Sequence, residues 1–154
     1  MLNTLSGLEQ LIQEHEVIQA NTRSIFELTD NLATLNSLQE NSPGFTEYQF
    51  KYLSDKRVNL KRALGSLRDG LFSHYIREEE IMQPLVGIPL MQAIKKVHQD
   101  TLEKLTEIDW VLLNIGPLGV LFNSDYLKQK IDTLCQILNV SCNKENTILE
   151  LLKQ

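Results

Sequence analysis

The stretch LKRALGSLRDGLFSHYIREEEIMQPL, residues 60–85, decides how this chain folds. Leucine returns at Leu60, Leu64, Leu67 and Leu71, in steps of four, three and four. A helix turns once in about 3.6 residues, so that spacing paints one apolar stripe along one face. The same stripe is expected to continue to Ile81 and Leu85. Polar and charged residues fill the other faces, as on a helix that buries one side against neighbours.

Working outward, three more segments carry the same period. The first runs through Leu5, Leu8, Leu11 or Ile12, Ile18, Ile25 and Leu32. The last runs through Leu127, Ile131, Leu134, Leu138, Ile148 and Leu152. Glycine and proline cluster at Ser42-Pro43-Gly44, between Pro84 and Pro89, and between Gly116 and Gly119, cutting the chain into four. Ser6 to Glu9 and Thr46 to Gln49 read as capping boxes opening the first two helices. Pro89 suits the first turn of the third, and Ser124-Asp125 the start of the fourth. No segment alternates with period two, so the expected fold is all-α: an antiparallel up-down-up-down four-helix bundle.

A shift of 67 positions lays Leu60, Leu64, Leu67, Leu71, Glu78, Ile81 and Leu85 onto Leu127, Ile131, Leu134, Leu138, Glu145, Ile148 and Leu152. Two related helical hairpins explain that register. The first and third helices match more loosely, through Leu8 with Met91, Leu11 with Ile94, His15 with His98 and Ile25 with Ile108.

With 154 residues, 42% hydrophobic and 23% charged, the chain has the length and composition of one globular domain, residues 1–154. Twenty acidic against 15 basic residues give a net charge of −5, which offers nothing to a nucleic acid or an anionic membrane. Cys135 and Cys142, seven residues apart on a helix, stand roughly 10 Å from each other, too far for a disulfide. The N-terminus lacks the basic start of a secretory signal, and the apolar run from Trp110 to Phe122 is broken and short of the ~20 residues of a membrane span. The chain therefore reads as soluble and cytoplasmic.

The interruptions of the stripes carry the chemistry. His15 continues the stripe between Leu11 and Ile18, and His74 follows Leu71, with Glu78 one turn later. His98 follows Ile94, and Glu145 follows Ser141. All three histidines and two glutamates are thus expected to point inward at one level. Two buried carboxylates repel each other unless protonated or bound to a cation. A metal resolves this, and imidazole with carboxylate suits iron, zinc or manganese. Gly-rich phosphate loops, Cys-x-x-Cys pairs, His-Glu-x-x-His and Glu-x-x-His motifs are absent, and no nucleophile or general base stands out, so classical enzymatic turnover is not expected. Glu14, Glu16 and Glu80 read as a solvated face, and Tyr75 and Tyr126 as lining.

The run from Leu71 to Leu85, an apolar stretch followed by His-x-x-x-Glu-Glu and then a proline, resembles the second-helix signature of hemerythrin-like, or HHE cation-binding, domains. His15 in Glu14-His15-Glu16 looks like the first-helix ligand and His98 in Lys96-Val97-His98 like the third. The resemblance spans Leu5 to Leu152. It implies that His15 and His74 hold one non-haem iron, that Glu78 and Glu145 bridge to a second, and that His98 is terminal on that second ion. The implied partner is a small gaseous or peroxide ligand, or iron itself, with a protein partner or a second copy also compatible.

Two departures matter. Ile94 stands where oxygen carriers of the family have a further histidine, and Ser141 where the family has its fourth-helix histidine. The internal repeat agrees, since His74 aligns with Ser141. Those losses argue against reversible oxygen carriage and leave an alternative, a metal-free bundle serving as an interaction or regulatory module.

Overall fold

A computed structural model describes residues 4–41, 47–114 and 124–154. They form four helices, α1 (Thr4–Asn41), α2 (Glu47–Met82), α3 (Ile88–Asn114) and α4 (Ser124–Leu152), and no strand occurs among the described residues. Helix α1 packs against α2 and α4, and α3 packs against the same two. Among the described residues, no helix is long and apolar enough to cross a membrane.

The short turn between α2 and α3 follows from its residues. Pro84 has no N–H to give the carbonyl of Glu80, so the α-helix stops at Met82, whose carbonyl accepts from Leu85 and Val86 at 2.8 and 3.0 Å. Gly87 then offers its carbonyl to Met91 N–H, opening α3 with Pro89 in the first turn, as expected. Ser124 begins α4, also as expected. Ser6 does not cap α1, because that helix already starts at Thr4. The Thr46 cap and the other two Gly/Pro breaks lie outside the described residues, and the side chain of Leu32 is likewise not described.

Cross-helix pairs show how the helices lie. Passing along α2 from Arg68 to Glu79, the partners on α3 go back from Asp109 to His98. On α1, Glu14 meets Arg77, and Gly7 lies against Ile81, where a Cβ would approach the Ile81 side chain to 3.3 Å. Asp30 of α1 pairs with Lys128 of α4, and Gln19 with Asn143. These exposed pairs each contribute at most about 1 kcal/mol.

Stability comes from two apolar clusters. The larger contains Ile18, Ile25, Leu60, Leu64, Leu67, Leu71, Leu105, Ile131, Leu134 and Leu138. The smaller contains Leu8, Leu11, Met82, Met91, Ile94 and Leu149. Each fully buried leucine is worth about 1.5–3 kcal/mol relative to exposure. Leu5 is 44% exposed and sits at the rim. The expected continuation of the stripes needs correction here. Met82 and Leu149 are the fully buried residues, whereas Ile81, Ile148 and Leu152 are half-buried and Leu85, beyond the helix end, is exposed.

Candidate metal centre

Between the two clusters lies a polar layer. His15 on α1, His74 and Glu78 on α2, His98 on α3 and Glu145 on α4 are all buried, Glu78 completely. Their neighbours in sequence explain the placement. Leu11 and Ile18 flank His15, Leu71 and Met82 flank the His74–Glu78 turn, and Leu138 and Leu149 flank Glu145, so apolar packing above and below fixes the polar groups inside. All five expected residues are brought to one level.

The two carboxylates divide their oxygens between two sides. Glu78 Oε2 lies 2.9 Å from His15 Nε2 and 3.0 Å from His74 Nε2, and Glu145 Oε2 lies 3.3 Å from His15 Nε2. The other oxygens, Glu78 Oε1 and Glu145 Oε1, lie 3.0 and 3.3 Å from His98 Nε2. One ligand atom from each of His15, His74, Glu78 and Glu145 falls within 4.8 Å of the other three.

The far nitrogen of each ring is also engaged. His15 Nδ1 donates to Asn146 Oδ1 at 2.6 Å, His74 Nδ1 to Glu14 Oε1 at 3.0 Å and His98 Nδ1 to Glu79 Oε1 at 3.4 Å. Glu14 is in turn gripped by Arg77 through Nε and Nη2, at 3.0 and 2.8 Å. Burial would raise the Glu14 carboxyl, but Arg77 and His74 overcome it and hold it below the usual carboxylate range. Glu14 is therefore not the solvated acid that its sequence surroundings suggest. Asn146, Arg77 and Glu79 complete this outer shell; Glu79 belongs to the Glu-Glu pair of the second-helix run, whereas the only signal of Asn146 and Arg77 in sequence is that each adjoins an inward-facing glutamate.

The ring orientations test whether a cation fits. A neutral imidazole has one ring proton, and the acceptors at Nδ1 claim it. Each Nε2 then presents a bare lone pair to carboxylate oxygens at 2.9 to 3.3 Å. Either a second proton on each ring or a cation among them removes the repulsion. Two imidazole nitrogens and two carboxylate oxygens, with every ring anchored from behind, fit a divalent metal.

Without metal, protons do that work. Burial works against charge on His15 and His98, yet hydrogen bonds to Glu145 and Glu78 prevail and push these imidazoles up to about 10 and about 9. Burial alone would raise Glu78, but the three histidines hold it far below its ordinary range. Raised histidines stabilise the fold fully below pH 6.5, and that contribution is lost as pH climbs through 9 to 10. The depressed Glu78 contributes above pH 4.5 and its share is lost on acidification. Chelator-treated protein should accordingly melt at its highest temperature near pH 5–7 and at progressively lower temperature from pH 7 to 10, as followed by circular dichroism. A flat profile across the alkaline limb would contradict the pairing.

The surroundings differ from side to side. Tyr75 stacks on His98 with ring centroids 3.7 Å apart and planes at 10°. Tyr126, by contrast, stands in the first turn of α4 and is exposed beneath Lys130. Ser141 turns its hydroxyl to its own helix, donating to the Leu138 carbonyl at 3.4 Å. Burial, with the Glu145 and Glu78 charges, pushes the Cys142 thiol up to about 12, so it stays protonated. Both cysteines are free, as their spacing requires. Between α1 and α2 a cavity of about 190 Å³, lined in part by Glu14, Leu71, His74 and Arg77, reaches the back of the centre.

The chain matches no family model, no curated protein and no solved structure.

Because outer-shell partners of metal-ligating histidines set ring orientation, Glu14→Ala should weaken metal binding by about 10–100-fold with little change in helix content. Competition with a chromophoric chelator measures this. An unchanged affinity would show that the His74 ring needs no anchor.

Proposed function

We propose that the chain is a hemerythrin-like, non-haem iron-binding protein that binds or senses a small ligand, whether oxygen, nitric oxide or a peroxide, or iron itself. Its scaffold in this reading is an antiparallel up-down-up-down bundle, supported by the opposite order of paired residues on α2 and α3 and on α1 and α4.

The observation that carries the metal reading is the direction of the rings. All three imidazoles are tied at Nδ1 to acceptors and aim Nε2 at two buried carboxylates. His15 and His74 supply neutral nitrogen donors, and Glu78 and Glu145 supply oxygen donors and the negative charge that balances a divalent ion. Glu14 with Arg77, Asn146 and Glu79 keep the rings oriented, and the apolar clusters on either side keep bulk water out. The α1–α2 cavity offers a small molecule a route toward His74. Imidazole and carboxylate suit iron, zinc and manganese alike, and the resemblance of residues 71–85 to the hemerythrin-like signature favours iron. When bound, iron supplies a Lewis-acidic, redox-active centre for a small ligand.

Anaerobic loading with ferrous iron, desalting and metal analysis test this reading. Iron should stay with the native chain and be lost in His74→Ala, and nitric oxide should change the visible spectrum of the loaded protein. No retained iron would remove the proposal.

A second reading is favoured by the completeness of the pairing: each imidazole nitrogen faces an acceptor and the charges close among themselves. In that reading the bundle works without metal as an interaction or regulatory module, and a chelator leaves its melting temperature unchanged.

A further inference from the structure

Resting on the metal reading above, we infer that the chain holds one divalent cation rather than two, in the lobe made by His15, His74, Glu78 Oε2 and Glu145 Oε2, with His98 positioning the carboxylates from the opposite side.

Three observations lead there. The first is the count of donors on each side. His15 and His74 meet Glu78 Oε2, and His15 also meets Glu145 Oε2; with one ligand atom of each of the four residues within 4.8 Å of the others, this side has donors enough for one divalent ion and leaves it a position for a small ligand. On the other side, among the described residues, the His98 nitrogen alone is paired with the remaining oxygen of each carboxylate, at 3.0 and 3.3 Å.

The second is the state of the groups that would have to complete a second site. The internal repeat pairs Ser141 with His74, so Ser141 occupies the place of the missing nitrogen donor. Its hydroxyl is spent on the Leu138 carbonyl of its own helix. Tyr75 lays its ring flat on His98, with centroids 3.7 Å apart, and so meets that side through its ring face. Glu79 touches only the outer nitrogen of His98.

The third is charge. Glu78 and Glu145 together carry two negative charges, which one divalent ion neutralises. A second would leave an excess of two positive charges buried among Tyr75, Leu138 and their neighbours, and uncompensated buried charge is strongly unfavourable. His98, carrying a proton on each ring nitrogen, instead bonds to Glu79 at Nδ1 and through Nε2 to the free oxygen of each carboxylate, which fixes how both present their other oxygen. That is the role outer-shell groups commonly fill around a metal.

Equilibrium dialysis of metal-free protein against cobalt(II) under anaerobic conditions tests the inference, read by metal analysis and visible absorption. The native chain should bind one equivalent and show the intense bands of four-coordinate cobalt. His98→Gln, which keeps a donor, should bind one equivalent with unchanged bands, while His98→Ala should still bind one equivalent about 10–100-fold more weakly. His74→Ala should bind none, with circular dichroism confirming that it is folded. Two equivalents in the native chain would overturn the inference while leaving the metal reading intact. So would loss of the bands in a folded His98→Gln. No bound cobalt at all would instead remove the metal reading, and this inference with it.

Discussion

Glu78→Ala will destabilise the metal-free protein by about 3–5 kcal/mol, the usual cost of removing one partner from a buried charged network. Glu78 is fully buried and meets His15, His74 and His98 at once. Without it His15 and His98 keep Glu145, but His74 loses its only inward partner among the contacts of the centre. Domains are stable by only about 5–15 kcal/mol, so the loss takes much of the total. Urea unfolding with chelator present measures it, with exposed Glu80→Ala as a control expected within about 0.5 kcal/mol of the native chain. A loss under about 1 kcal/mol for Glu78→Ala would mean the five groups do not act as a network.

Ferrous iron at about a thousand times its dissociation constant should raise the melting temperature by roughly 10 °C. A ligand that binds only the folded state at that excess contributes about 4 kcal/mol. For a chain of this size each kilocalorie moves the midpoint by about 2–4 °C. Chelator should reverse the shift and His74→Ala should abolish it. This result separates the two functional readings, because a bundle stabilised by its own ion pairs gains nothing from added metal.

Much of this was legible in the sequence because leucine spacing is a direct readout of which face is buried. Leu60, Leu64, Leu67 and Leu71, with Leu127, Ile131, Leu134 and Leu138, are all buried as their period requires. The reading slipped where the stripe passed through the polar layer. Beyond Glu78 and Glu145 the next inward step is four residues, to Met82 and Leu149, not three to Ile81 and Ile148. A helix of 3.6 residues per turn admits either step, and with charged residues at the centre no leucine marks which is taken. Met82 and Leu149 are themselves related by the same shift of 67, so the repeat survives the correction.

The inward-facing residues were legible for a different reason: histidine and glutamate on an apolar stripe contradict their usual exposure. Their outer shell, Glu79 apart, was not. Glu14 and Arg77 stand on the flanks of α1 and α2, where charged residues normally meet water, and only the packing of those two helices brings them together. Asn146 is likewise unremarkable along α4 until α1 brings His15 against it. Periodicity reports one helix at a time, whereas these contacts belong to pairs of helices.

The central claim is that polar groups occupy the core because a cation sits among them. Anomalous diffraction at the iron edge from crystals of anaerobically loaded protein tests it most directly. A peak about 2.0–2.2 Å from both His15 Nε2 and His74 Nε2 is the predicted result. Iron found only at the surface, with the imidazoles still closed on Glu78, would contradict it.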